Sequence, residues 1–369
     1  MRAHRLAAPT LWHHPNFLKL WIGQSVSQFG NQFTGIALQF LAVKALLASP
    51  AQVGLLAALG TFPFLLIGLF VGVWVDRHPR RPILIAGDVG RGLVVAAIAS
   101  LTFFGVVRLE YLYVLAFATG VLTVFFDVSY QAYLPALVPR GQIMEGNSKL
   151  EATNTTAQVA GPVLAGLFVE AAGYALPMAT DGLTFFFSAG LMARIRKEET
   201  TPAPSERKSV AAEIREGLRL VFGDRRLWSI AGCTGTANFF SGALFALFSI
   251  YAIRSLGLNA FWIGVIGGVG GIGGILGAFT ANRLANRIGV GRAIVVAILV
   301  GAASSFGILL ATPGLAFAFL TAMGFGGVCE VIGVYPALVI AVVGGLLAVP
   351  WVFFSPVRDL KTIPPPAED

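Results

Sequence analysis

The chain has 369 residues, of which 56% are hydrophobic and only 12% charged, with a formal net charge of +8. Soluble domains carry about 25% charged residues, so this composition excludes a surface that mostly faces water. The 26 Lys and Arg against 18 Asp and Glu do not gather on one polar face, as nucleic-acid binding requires. They fall in short segments between apolar runs, and no nucleic-acid partner is expected.

A bilayer-spanning helix needs about 20 mostly apolar residues. Such runs lie near 18–47, 52–75, 83–107, 111–137, 153–173, 176–194, 227–252, 260–282 and 291–312, and a last apolar stretch covers 315–354. Turn chemistry separates them at Ser49-Pro50, Pro79, Pro139, Gly173, Gly257 and Pro313-Gly314. The longest polar segment, 195–226, holds Arg196, Lys197, Glu198, Glu199, a Thr-Pro-Ala-Pro-Ser phrase, then Arg207 and Lys208. It reads as a linker. Within it, 210–220 sets Ile214 and Leu218, with Val221 just beyond, on one face, as in an amphipathic helix lying on a membrane surface. The domain plan is therefore 1–194, a six-helix bundle; 195–226, a cytoplasmic linker; and 227–369, a shortened second bundle. The fold class is all-α membrane protein with about 10–11 helices.

Basic residues orient the chain. With the N-terminus in the cytoplasm, twenty of the 26 Lys and Arg fall in cytoplasmic segments, nine of them between Arg194 and Arg226. The opposite loops hold Arg108 and Arg254, with Lys44 near the end of the first run. The positive-inside rule favours this topology.

The segment between the second and third runs reads Gly72-Val73-Trp74-Val75-Asp76-Arg77-His78-Pro79-Arg80-Arg81. It resembles the loop signature G-x-x-x-D-R-x-G-R-R of the major facilitator superfamily, with Pro79 in place of a Gly. Ala160-Gly161-Pro162-Val163-Leu164-Ala165-Gly166 in the fifth run is similar to the antiporter motif G-P-x-x-G-G, with Ala165 for one Gly. Asn16-Phe17-Leu18-Lys19-Leu20-Trp21 and Phe354-Ser355-Pro356-Val357-Arg358 resemble the macrolide-efflux and siderophore-exporter branch. The resemblance implies two pseudo-symmetric helix bundles and alternating access. It makes Gly72, Asp76, Arg77, Arg80 and Arg81 a cytoplasmic gate latch; the plainer reading is that these arginines only set topology. Gly277, Asn282, Arg283, Arg287 and Arg292 form a weaker counterpart between the eighth and ninth runs. A full member needs two more helices than the second half provides, so helices 10 and 11 look largely missing, and the count is ten or eleven.

Charges inside a membrane are costly and mark functional positions by default. Asp127, in Val124-Phe125-Phe126-Asp127-Val128, is the leading candidate for a proton-coupled carboxylate, against a structural role with a neighbouring helix. Asp88 and Arg91 are further proton-coupling candidates; they are spaced to pair with each other, and the competing reading is a structural pair near the cytoplasmic end. Asp181 reads as a helix-end residue. Gln24, Gln28 and Asn31, with Gln39 two turns beyond, form a polar stripe on the first helix. The superfamily lines its cavity with this helix, so the stripe is a candidate substrate surface, as are Tyr130 and Asn238; interhelical hydrogen bonding is the competing reading. Gly161, Pro162 and Gly166 mark the fifth helix, and the glycine run from Gly264 to Gly277 reads as helix packing. The histidines, His4, His13, His14 and His78, lack metal spacing, and Cys233 and Cys329 read as core residues. No metal, cofactor or enzymatic constellation is expected.

The function this implies is proton-driven efflux of a drug-like or siderophore-like small molecule by a monomer in the cytoplasmic membrane, with substrate, protons and lipid as its partners. A facilitator or importer on the same fold, or a non-transporting membrane protein left by loss of helices, are the alternatives.

Overall fold

The computed structural model describes residues 11–197, 199 and 209–289. Among them every long element is helical: α1 (Pro15–Phe40), α2 (Pro50–Asp76), α3 (Arg80–Phe103), α4 (Leu109–Leu137), α5 (Ile143–Ala172), α6 (Ala175–Ala193), α7 (Val210–Gly223), α8 (Arg225–Arg254) and α9 (Ala260–Ile288). The backbone amides of a membrane span must be satisfied within the span, which only helices and closed barrels achieve. Eight of the expected spans become α1–α6, α8 and α9. The run at 291–312, the stretch at 315–354, Arg292, Cys329, Glu330, the helix count and the shortened second bundle lie outside the described residues.

The helices are long and apolar for a reason visible in their surfaces. α2, α3 and α4 are each long and apolar enough to cross a bilayer, with mean hydropathy of 2.2, 1.7 and 1.8 over their best windows. α2 leaves Phe62, Phe64, Leu65, Leu66, Leu69 and Phe70 exposed. A contiguous apolar surface of this kind is unstable in water and natural against lipid. α3 has the opposite bias along one side. Its buried residues Ile83, Leu84, Gly87, Asp88, Arg91, Gly92, Val95, Ile98 and Ala99 recur every three to four positions, as one face of a helix does.

The chain groups into two compact units. The first comprises α1 to Gly35, α2 from Leu59, α3, α4, α5 to Ala157, and α6. Its core gathers Leu11, Phe17, Leu20, Leu84, Phe126, Tyr133, Leu134 and Met192. α3 crosses α6 where Gly92 and Gly182 meet: a Cβ on Gly92 would lie 3.2 Å from the Gly182 carbonyl oxygen. Small residues permit this approach.

The second unit contains the rest of α1, the start of α2, α5 from Gln158, and α7–α9. Here α5 packs on α9 backbone to backbone. A Cβ at Gly264 would overlap the Pro162 carbonyl, and one at Gly166 would overlap the Ala260 carbonyl. Gly264, Gly267, Gly268 and Gly271 of the glycine run thus form a packing surface, and their partner is the segment of α5 around Val159 and Pro162; the surroundings of Gly273 to Gly277 lie outside the described residues. The ends of these helices are closed by side chains. Glu170 Oε1 accepts the Ala260 N–H at 2.7 Å and caps the start of α9. Arg254, at the end of α8, donates to the carbonyls of Val43 (3.0 Å) and Ala48 (2.9 Å). α7 is capped by Ser209, whose hydroxyl accepts the Ala212 N–H at 3.2 Å. It leaves Leu218, Leu220 and Phe222 exposed.

Two boundaries differ from the sequence reading. α5 begins at Ile143, ten residues before the apolar run, and α9 continues to Ile288. Apolarity locates the span, but a helix continues past it wherever its backbone stays bonded. Asn282, Arg283 and Arg287 therefore lie in the last turns of α9, not in a loop.

Candidate functional site

Two charged residues of the first unit, Asp88 and Arg91, lie well inside α3. Asp88 and Arg91 are eight and eleven residues into α3, roughly 12 and 16 Å along the axis at 1.5 Å per residue. This differs from the expected position near the helix end. Asp88 is fully buried and Arg91 is 6% exposed. Arg91 Nη2 donates to Asp88 Oδ1 at 2.5 Å. The guanidinium lies 3.8 Å from the ring centre of Phe126 and 4.7 Å from that of Phe185. The cation is therefore held by one carboxylate and two aromatic faces, the geometry that planar Arg suits better than Lys.

Asp127, on α4, is half-buried. Its carboxylate has no hydrogen bond or ion pair among the described residues, although the Arg91 charge acts on it. Phe126 links the two, since its ring is stacked on Tyr130 at 5.8 Å and lies against Arg91. The structure thus brings Asp88, Arg91, Asp127 and Tyr130 into one neighbourhood.

Sequence reasoning missed Asp181. Six residues into α6, it is no helix-end residue but 1% exposed. The Thr184 hydroxyl lies 3.2 Å from its Oδ1. The signal was a lone carboxyl in an apolar helix, the same signal that singled out Asp127.

The polar stripe of α1 divides. Gln24 is buried, and its Nε2 donates to Ser188 Oγ on α6 at 3.1 Å. That is an interhelical bond, and Gly23 beside it lets Ser188 approach. Gln28, Asn31 and Gln39 are half-buried. Asn238 lies on α8, and its side chain falls outside those described. No group of three or more His, Cys, Asp or Glu could hold a metal ion among the described residues.

The loop motif is tied to α6. Asp76 ends α2, exposed, 3.4 Å from Arg80 Nη2. Arg81 donates from Nε to the Met192 carbonyl at 3.0 Å and from Nη2 to that of Ala193 at 2.5 Å. It thereby satisfies carbonyls that the end of a helix leaves open. Glu199 accepts the N–H groups of Arg80 (2.7 Å) and Arg81 (2.9 Å), closing the start of α3. A Cβ at Gly72 would meet open space, and His78 stacks on Trp74 at 4.2 Å.

A family profile described as Major Facilitator Superfamily matches residues 20–344. The chain belongs to this superfamily. It is an integral membrane protein of all-helical fold. Relatives agree: the chain is 24% identical over 216 residues to the MFS-type transporter YfiS of Bacillus subtilis (strain 168), covering 58% of this chain and 51% of that protein. It is 26% identical to macrolide efflux protein A of Streptococcus pyogenes, over 41% of this chain and 37% of the relative. With the enterobactin exporter EntS of Salmonella choleraesuis (strain SC-B67) it shares 24% identity over 81% of this chain and 71% of the relative. The match thus spans about half of the first relative and a third of the second. Among solved structures, a bacterial homologue of the human lysosomal transporter Spinster, inward-facing and unoccupied, aligns over 92% of this chain and 75% of its own at TM-score 0.62 and 14% identity. A bacterial homologue of the iron transporter ferroportin, inward-facing, aligns over 92% and 82% at TM-score 0.59 and 17% identity. These two establish likeness of fold.

Proposed function

We propose that the chain is a secondary transporter that exports a drug-like or siderophore-like small molecule in exchange for protons. The observation that carries this reading is Asp127, a half-buried carboxyl inside α4 with no hydrogen bond or ion pair among the described residues, beside the buried Arg91–Asp88 pair. A carboxyl held away from water without its own cation exchanges charge for a proton readily. The relatives that export macrolides and enterobactin support the direction and the class of cargo. In this reading the N-terminus is cytoplasmic, the protein works as a monomer in the plasma membrane, and 195–226 joins the halves 1–194 and 227–369. Arg80, Arg81 and Asp76 serve as the gate latch, with Glu199 and the end of α6 as their partners in the conformation described. Gln28, Asn31 and Gln39 are the stripe residues left to meet substrate, since Gln24 is engaged by Ser188.

The test is uptake into inverted membrane vesicles of a lipophilic cation, a macrolide and a catecholate siderophore, with and without a pH gradient. Gradient-dependent accumulation of one of them, lost in Asp127→Asn, is expected. Equal accumulation in Asp127→Asn and the parent chain would overturn the role given to Asp127. Absence of movement for all three, from folded and inserted protein, would overturn the exporter reading.

A further inference from the structure

In the apolar stretches of α3, α4 and α6 the first unit carries three carboxyls and one cation: Asp88 and Arg91 on α3, Asp127 on α4 and Asp181 on α6. The Arg91 charge reaches all three acids. Its direct contact, however, goes to Asp88, with both partners buried. One negative charge is thereby matched, and the other two acids have no cation of their own. Of these, Asp127 is half-buried, whereas Asp181 is almost fully enclosed. Asp181 Oδ1 lies by the Thr184 hydroxyl, and the Thr34 hydroxyl is the other polar group against the carboxyl; its Oδ2 makes no well-formed hydrogen bond among the described residues. Thr34 and Gly30 of α1 close the remaining side; a Cβ at Gly30 would overlap both Asp181 Oδ1 and Thr184 Oγ1. Among the described residues no further cation faces it. Between Pro15 and Gly35 the one charged residue of α1 is Lys19, whose ammonium donates to the Arg194 carbonyl past the end of α6.

An ionised carboxylate enclosed without a cation and with an empty oxygen is far costlier than its neutral acid. We propose that Asp181 is a second proton-binding site of the carrier, holding its proton on Oδ2 and giving it up when α1 separates from α6. The proton adds to the carboxylate to form the acid, and leaves to water when the site opens. Because α1 meets Asp181 through a glycine, a small separation at Gly30 admits that water. This rests on the proton-coupled reading and deepens it: one acid, Asp127, is half-buried, and a second, Asp181, is sealed by a contact between α1 and α6 within the first unit that opens by a local shift of α1.

The proton itself is the probe. The full chain in liposomes is titrated with pH while the carboxyl C=O stretch is followed by infrared difference spectroscopy, with aspartate carrying ¹³C to assign the band. The wild type is expected to show a titrating aspartic-acid band of a buried group. Asp181→Asn removes that band, Asp181→Glu moves it out of the ¹³C-labelled set, and Asp127→Asn leaves it in place. A band of full amplitude in Asp181→Asn, or its loss in Asp127→Asn alone, would overturn the proposal. If Asp181→Asn does not fold, Asp181→Glu decides: a ¹³C-aspartate band of unchanged position and amplitude in that variant ends the idea. The two readings separate cleanly. Transport without the band refutes this site alone; the band without transport of any compound refutes the exporter reading alone.

Discussion

Replacing Arg91 by Ala removes the cation against which Asp88 is buried. Asp88 is fully enclosed and Arg91 is 6% exposed, with 2.5 Å between Nη2 and Oδ1. Breaking a buried pair by deleting one partner costs about 3–5 kcal/mol, because the other charge stays buried and unmatched. The lost contacts with Phe126 and Phe185 add about 1–2 kcal/mol. Protonation of Asp88 at neutral pH relieves part of the first figure, so a total of about 3–5 kcal/mol is expected. The assay is a double-mutant cycle with Asp88→Asn, read by equilibrium unfolding in detergent micelles. In the Asp88→Asn background the same Arg91→Ala change should cost at least about 2 kcal/mol less, a coupling of the size that contacting charged residues show. Arg91→Lys keeps the charge but loses the stacked plane, and is expected to cost about 1 kcal/mol. Costs that add within about 0.5 kcal/mol would refute the claim that Arg91 is held in place chiefly by Asp88.

Gly264→Ala forces a methyl group against the Pro162 carbonyl, and should cost about 1–3 kcal/mol as overpacking does; Gly267→Ala meets only the Pro162 side chain at 3.2 Å and should cost less than half as much in parallel thermal melts. Arg81→Ala removes the charged donor at the end of α6, where the Met192 carbonyl keeps the Ile195 N–H at 3.1 Å and the Ala193 carbonyl loses the guanidinium, and is expected to destabilise by about 1 kcal/mol, whereas Gly72→Ala, which meets open space, should leave the melting temperature within error. Glu145 gives a pH test. Its carboxyl is held below the usual value of 4.5 by the Lys149 hydrogen bond first, and also by the Leu11 N–H and the Lys149 charge. A depressed folded value means that its contribution is complete above the unfolded value and is lost as pH falls through the folded one. The melting curves of wild type and Glu145→Gln should therefore differ above about pH 5 and converge below the lowered value; parallel curves across that window would show that the Lys149 contact does nothing.

Much of this fold was legible because a bilayer imposes a simple rule on the chain. Apolar runs near 20 residues located the spans, and Pro and Gly located the turns, so α2, α3, α4 and α6 begin and end within about four residues of the expected places. The first ten residues of α5 were not legible by the same rule. Ser148, Lys149, Glu151 and Asn154 are polar, and the helix there lies beyond the apolar window. The glycine run announced close packing, but its partner, the Pro162 segment of α5, is about a hundred residues away and no local pattern names it. Asp88 and Arg91 announced their pairing through spacing alone. Glu199 did not announce itself, because it reads as one more linker charge until the folded chain sets it on the amides of Arg80 and Arg81. Asp181 was misread for a related reason. Counting from the apolar run placed it near an end, while the packing of α1 at Gly30 encloses it inside the unit. Gln24 shows the limit of a polar stripe as a signal: pairing across helices and lining a cavity have the same sequence pattern, and only the position of Ser188 separates them.

The central claim is proton-coupled export, and reconstitution tests it most directly. Purified chain in sealed liposomes loaded with a pH-sensitive dye is given a macrolide or a catecholate siderophore in the absence of any other energy source. Coupled exchange requires the compound to move protons the opposite way, so a dye response is expected that Asp127→Asn abolishes and that a protonophore masks. Substrate movement with no proton signal, at equal rate in Asp127→Asn, would contradict the account and leave a facilitator in its place.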